Sequence, residues 1–255
     1  MACVKKIKLN KDNKMECGNK GGKCDLVYEY GLNTCTVSNK TTYLELIGCG
    51  KNAIVSFGGN ELTIGLGNLR IYSPAIHNII DGSDDNTSNN IIAEAIIHYK
   101  EGTNDLLICI PIKKDDTSSM NDFWSFLTTV SPQGTPAPST INTVNFTLNK
   151  LVTNCPFFQY SGNFPFDIKT DACKSDVNII VLDPTDGNIA TISTKYLNML
   201  NTLITTWAST NTTISAPTDL FYNSHGSQKP GDNPIESKVR ILSKCVETSN
   251  VAPPD

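Results

Sequence analysis

The feature that most constrains this chain is the stretch "IIAEAIIHYKEGTNDLLICIPIKK", residues 91–114. Its first run reads as a strand. "LLICIPI" (106–112) is apolar nearly throughout, which suggests a strand buried on both faces. The turn "EGTND" makes the two runs neighbours, with Ile97 and Ile108 in the core. Similar runs come before it: "LVYEY" (26–30), "CTVSNK", "TTYLELI" (41–47), "AIVSFGGNELTIG" with a turn at Gly58-Gly59-Asn60, and "NLRIY". Together they form an antiparallel β pattern. "NIIVLD" (178–183) predicts another buried strand and "ESKVRILSKCVE" a last one.

Two segments have helical signatures. In "SSMNDFWSFLTTV" (118–130) Ser119 is the expected cap, and Phe123, Phe126 and Leu127 fall on one face. In "STKYLNMLNTLITTWA" (193–208) Ser193 caps, and Leu197, Leu200 and Leu203 share a stripe. Pro136 and Pro138 mark a loop between them. The predicted fold class is α+β and β-dominated: a central, mainly antiparallel twisted sheet of about ten short strands with a few surface helices. Residues 1–23 are polar and rich in Gly, Lys and Asn, and are expected to form a loose arm. Residues 24–255 are expected to form a single domain.

With 39% apolar and 18% charged residues, the chain has the composition of a globular protein. Its net charge of -4 argues against a nucleic-acid binder, which would show a basic face. No apolar run approaches the ~20 residues of a membrane span, and the N-terminus shows no signal-peptide core, so no membrane anchor is expected. The nine cysteines are odd in number and irregular in spacing, which does not read as a disulfide framework. Cys17 and Cys24 lack a second pair at zinc-finger spacing, and Cys109 reads as a buried free thiol. His77 and His98 have no histidine two residues away, as a strand-borne metal site would require. Both read as structural, their ring nitrogens satisfied by backbone or carboxylate. His225 sits in "SHG" without a nucleophile elbow.

Taken in order, these motifs resemble the α-carbonic anhydrases from about Leu26 to the last strand. "FGGNELTIGLGNLRIY" is similar to the family's hairpin leading into its zinc strand. "SPAIHNIIDG" resembles its "S-E-H-T-V-D-G" turn, with His77, Asp81 and Gly82 in the matching places and expected to be structural. "AEAIIHYK" is similar to "A-E-L-H-L-V-H-W", and "FFQYSGNF" to "Y-Y-T-Y-x-G-S-L". In this family three histidines hold zinc, which supplies hydroxide near neutral pH. The resemblance puts Arg70 and Tyr72 at two of the ligand positions. It puts Ala95 at the third if His98 matches the later structural histidine, or Ile96 if the match shifts by one residue. The threonine that orients the hydroxide falls near Pro165. Arg70 is then expected to pair with a carboxylate or to stack over Tyr72. No metal, cofactor or catalytic residue is expected.

The resemblance is nearest to zinc-free versions of the domain in large cytoplasmic DNA viruses. It implies a non-enzymatic virion protein, made in the host cytoplasm and located in the capsid. Such a minor capsid protein would contact the major and other minor capsid proteins. The alternative is a virion surface protein that binds sulfated host glycans; its only local cations, Lys113 and Lys114, adjoin two Asp. In some secreted relatives a cysteine placed like Cys173 pairs with one near the N-terminus, so the resemblance also implies a bridge from Cys173 to Cys24 or Cys17. A reducing cytosol argues against it.

Overall fold

In a computed structural model the chain is described for residues 7–17, 24–30, 35–49, 54–58, 60–62, 64–80, 90–101, 104–130, 139–141, 148–167, 172–185, 189–204, 217 and 219–227. The first strands are β1 (Ile7–Asn10), β2 (Met15–Glu16), β3 (Leu26–Glu29), β4 (Cys35–Asn39) and β5 (Leu44–Ile47). Then follow β6 (Ile54–Phe57), β7 (Asn60–Leu62), β8 (Ile64–Tyr72), β9 (His77–Ile80), β10 (Ile91–Glu101) and β11 (Asn104–Lys114). The second half holds α1 (Asn121–Trp124), β12 (Ser139–Ile141), β13 (Phe157–Asp167), β14 (Ala172–Leu182), β15 (Ala190–Ile192), α2 (Thr194–Leu203) and β16 (Phe221–Asn223).

An 11-stranded sheet dominates, in the order β12-β4-β5-β8-β10-β11-β14-β13-β16-β2, with β15 added beside β11. The ladder is antiparallel from β12 to β11 and again from β14 to β16; β11 runs parallel to β14 and β15, and β16 parallel to β2. The fold is therefore strand-dominated, as the patterning predicts. Strands β10 and β11 are neighbours, with Ile97 opposite Ile108 and both side chains fully buried.

Because side chains alternate along a strand, the large sheet carries two cores. Leu69, Ile71, Ala95, Ile97, Ile108 and Ile110 point into one, together with Phe123, Trp124, Phe126 and Leu127 from the first helical segment. Tyr72, Ile96, Leu107, Cys109, Phe158 and Tyr160 point into the other. Strand β11 feeds both, which explains the apolar run of "LLICIPI". Each fully buried Leu or Ile contributes about 1.5–3 kcal/mol relative to exposure.

The helices are shorter than their patterns predict. The first is α1 followed by a 3-10 turn at Ser125–Thr129, and Ser119 does not cap it; Met120 occupies that position. Its anchor is Trp124, whose indole N–H donates to the Thr191 carbonyl at 2.7 Å. Ser193 precedes α2 but makes no capping bond. Instead Asp116 Oδ1 accepts from the Thr194 N–H at 2.7 Å. The expected last strand, 236–247, lies outside the described residues.

Part of the polar segment 1–23 is structured. Strand β1 runs parallel to β9, pairing Ile7 with His77, and Leu9 is fully buried in the second core. Lys11 is ion-paired with the buried Asp183 at 2.9 Å. Alternation was hard to see in "KIKLNKDNKME" because a single leucine carries the burial.

The cysteines also depart from the expectation. Cys17 is bonded to Cys24, and Cys35 to Cys49. The bridge from Cys24 to Cys173 is thereby overturned: the Cys24 sulfur has a nearer partner, with Cα atoms 5.9 Å apart. Cys173 lies in β14, opposite Pro165 of β13. Cys109 is free and buried, as predicted.

Candidate functional site

The positions in question lie on β8 and β10, which pair antiparallel with Glu94 opposite Tyr72, Ala95 opposite Ile71 and Ile96 opposite Arg70. Residues directly opposite on antiparallel strands project from the same face. Arg70 and Tyr72 therefore share a face with Glu94 and Ile96. Ala95 does not: it lies on the far side, fully buried in the first core. The expected trio of Arg70, Tyr72 and Ala95 is corrected to Arg70, Tyr72 and Ile96, the one-residue shift. A match through His98 could not see this, because a shift of one residue reverses every side chain on a strand.

These residues do not fit the zinc that the fold family implies. A guanidinium is always protonated and offers donors only. Ile96 has no ligand atom. Burial pushes the Tyr72 hydroxyl up strongly, and the neighbouring Arg70 charge offsets only part of that. The space is instead occupied by a packed ionic and aromatic group. Arg70 Nε lies 3.6 Å from Glu45 Oε1, its cross-strand partner on β5. The Arg70 guanidinium sits 5.0 Å from the centre of the Tyr43 ring, and Tyr43 packs on Tyr72 at 5.3 Å. The sequence expectation of a carboxylate partner holds. The ring under the cation is Tyr43, however, not Tyr72. Burial disfavours the Arg70 charge, but Tyr72, Tyr43 and Glu45 outweigh it and hold the guanidinium above its ordinary value.

Beside this group is a second, fully buried one. Glu94 Oε2 accepts from the backbone N–H of Ile76 at 2.7 Å and of His77 at 2.9 Å. Glu94 Oε1 lies 2.5 Å from His77 Nδ1, and His77 Nε2 lies 2.6 Å from the Tyr160 hydroxyl. Burial alone would raise the Glu94 carboxyl. The charge and hydrogen bonds of His77, with the Ile76 N–H, hold it below its ordinary value. Burial pushes the Tyr160 hydroxyl well up, so it stays protonated. Both ring nitrogens of His77 are thereby engaged, Nδ1 by Glu94 and Nε2 by the Tyr160 hydroxyl.

Cys109 completes this cluster. Its Sγ, a ring nitrogen of His77 and a Glu94 oxygen lie within 4.8 Å of one another, a separation at which such donors could hold a metal ion. The donors are already engaged, however: Nδ1 by Glu94, both Glu94 oxygens by N–H groups, and the thiol raised first by burial and then by the Glu94 charge. The cluster is a closed hydrogen-bond network that pins the turn after β8 onto β10. One of the two His77 ring partners is a carboxylate, as the sequence reading expects. Sequence reasoning missed its partners, although a glutamate inside "IIAEAIIHYK" was the visible signal: a buried carboxylate needs a partner.

His98 Nε2 bonds Asp105 Oδ1 at 2.7 Å across the β10–β11 hairpin, so a carboxylate engages its ring as the sequence reading expects. Asp81 and Gly82 lie outside the described residues.

No protein-family profile and no curated protein matches the chain. Solved structures do. An α-carbonic anhydrase of Thermovibrio ammonificans, in complex with the inhibitor sulfanilamide, superposes with a TM-score of 0.62 at 13% identity, covering 84% of each chain. Dioscorin in complex with ascorbate gives 0.63 at 15% identity, over 86% of this chain and 84% of its own. The Photobacterium profundum α-carbonic anhydrase gives 0.62 at 12%, over 86% and 89%. At such identities the likeness concerns architecture, and this chain has a carbonic-anhydrase-like fold.

Proposed function

We propose that this chain is a non-catalytic carbonic-anhydrase-like protein that serves as a virion component, a minor capsid protein held by contacts with the major and other minor capsid proteins. The observation that carries the non-catalytic reading is the identity of the three side chains on one face of β8 and β10. Arg70, Tyr72 and Ile96 supply no ligand for zinc. Arg70 also brings a cation where a metal ion would sit, with Glu45 already beside it. An enzyme that makes hydroxide at a metal has no starting point here. The network of His77, Glu94 and Tyr160 is bonded through groups other than those three side chains.

The virion part of the reading rests on the resemblance of the motifs to zinc-free domains of large cytoplasmic DNA viruses. The glycan alternative has weaker support, since burial disfavours the Lys113 charge and lowers its titration, with the Asp183 charge opposing only in part, and Lys114 adjoins Asp115. Fractionation of purified particles tests the reading. The chain should stay with the capsid shell after detergent extraction of membranes. Release with the membrane fraction, or absence from particles, contradicts it. Binding of heparin or chondroitin sulfate that is lost when Lys113 and Lys114 are neutralised would favour the glycan alternative.

A further inference from the structure

The two disulfides differ in setting. Cys35 and Cys49 are 0% and 4% exposed, at the two ends of the β4–β5 hairpin, whose strands already pair over four residues on each side. Cys17 and Cys24 are both half-buried. Their bond closes a short loop whose sequence between the sulfurs, "GNKGGK", holds three glycines and two lysines. A thiolate reductant must reach a sulfur atom to exchange with it.

The segment this bond holds is otherwise weakly tied. Strand β2 has two residues, both exposed, and pairs only with Phe221 and Tyr222 of β16. Among the described residues, the N–H groups of Met15 and Cys17 donate to the Leu220 and Tyr222 carbonyls at 2.8 Å each, Lys14 lies over the Tyr222 ring at 3.6 Å, and Lys14 is 3.7 Å from Glu16 within the segment itself. The flanks are firm. On one side β1 is paired with β9, and Lys11 is held by Asp183. On the other, Leu26 is fully buried, and the Asn223 side-chain amide donates to the Cys24 carbonyl at 2.9 Å.

We propose that Cys17–Cys24 is a redox clasp: a thiol reductant opens it selectively, and opening it releases β2 from the edge of the main sheet. Two equivalents of a monothiol, or one of a dithiol, reduce the bond. Two electrons pass to the cystine, the reductant becomes a disulfide, and Cys17 and Cys24 each end as a thiol. The Leu220 and Tyr222 carbonyls then lose their donors, and the β16 edge is uncovered. Cys35–Cys49, shielded in the core, stays closed. The sheet edge is thereby open in a reducing setting and covered in an oxidising one.

The test is timed reduction of the native protein by dithiothreitol, with iodoacetamide trapping and peptide mapping. Hydrogen exchange of the peptide 12–17 is followed in parallel, in the wild type and in a C17S/C24S variant. Cys17 and Cys24 should be trapped at least tenfold faster than Cys35 and Cys49. Exchange across residues 15–17 should rise at least tenfold on reduction, and equally in the variant without reductant, while residues 7–10 keep their protection. Four cysteines reacting together, free Cys17 and Cys24 at the outset, or unchanged protection of residues 15–17 once the bond is open would each overturn the clasp.

Discussion

The two faces of β8 and β10 are built from interleaved residues of the same strands, yet they obey different rules. On one face Leu69, Ile71, Ala95 and Ile97 join a core in which shape and volume suffice. On the other, Arg70, Tyr72 and Glu94 each depend on a particular partner: Glu45, Tyr43 and His77. The first face specifies the fold. The second carries ion pairs and stacked rings at the positions that the sequence resemblance matches to zinc ligands. On one pair of strands, then, one face is held by packing alone and the other by specific polar partners.

The strongest way to break this comparison is Ile97→Asp, which places an unpaired charge in the apolar core. It should cost about 4 kcal/mol or more and leave the protein unfolded or nearly so in a urea titration. A modest loss would mean that this face is not the fold's foundation.

Next in size is Glu94→Gln on the other face. Removing one member of a buried, hydrogen-bonded pair should cost about 3 kcal/mol. It should also change the pH dependence. Glu94 and Asp183 are both held below their ordinary values in the folded protein; for Asp183 burial opposes this, and bonds from Thr185, Lys11 and Tyr222 outweigh it. A depressed carboxyl contributes stability that is fully present above about pH 4, its unfolded range, and is lost as pH falls through its lower native value. Stability measured from pH 6 down to pH 2 should fall steeply in the wild type and less steeply in Glu94→Gln. An unchanged acid limb would remove Glu94 from the account.

A smaller effect should follow from Tyr160→Phe, which takes away the partner of His77 Nε2 and leaves a buried ring nitrogen unbonded. The expected cost is about 1–2 kcal/mol in thermal or chemical denaturation. The smallest should come from Tyr72→Phe. Among the described residues the neighbouring Arg70 guanidinium interacts with the Tyr72 hydroxyl by charge and at a geometry short of an ordinary hydrogen bond. Its loss should change stability by less than about 1 kcal/mol, since the ring and not the hydroxyl fills the space. A large loss would show that the hydroxyl is an organising part of the Arg70 group.

What was legible in the sequence follows the same division. The hairpin of β10 and β11, the buried run around Cys109 and the apolar faces of the two helical segments were visible because burial leaves a period in the sequence. The side-specific chemistry was not. Whether Ala95 or Ile96 shares the face of Arg70 depends on register across two strands, which the sequence of either strand alone leaves open. Tyr43 under Arg70, just before β5, and Tyr160 on His77, in β13, come from parts of the chain distant from their partners. The Cys17–Cys24 and Cys35–Cys49 bonds were hidden by an odd cysteine count, and β1 by a polar run with one inward leucine.

The central claim is that this carbonic-anhydrase-like fold has no zinc site at the usual place. Metal analysis of the purified protein, after incubation with one equivalent of zinc and gel filtration, tests it most directly. Zinc should be well below stoichiometric, with no carbon dioxide hydration above background. About one equivalent of retained zinc would contradict it, most pointedly if the metal were lost on His77→Ala.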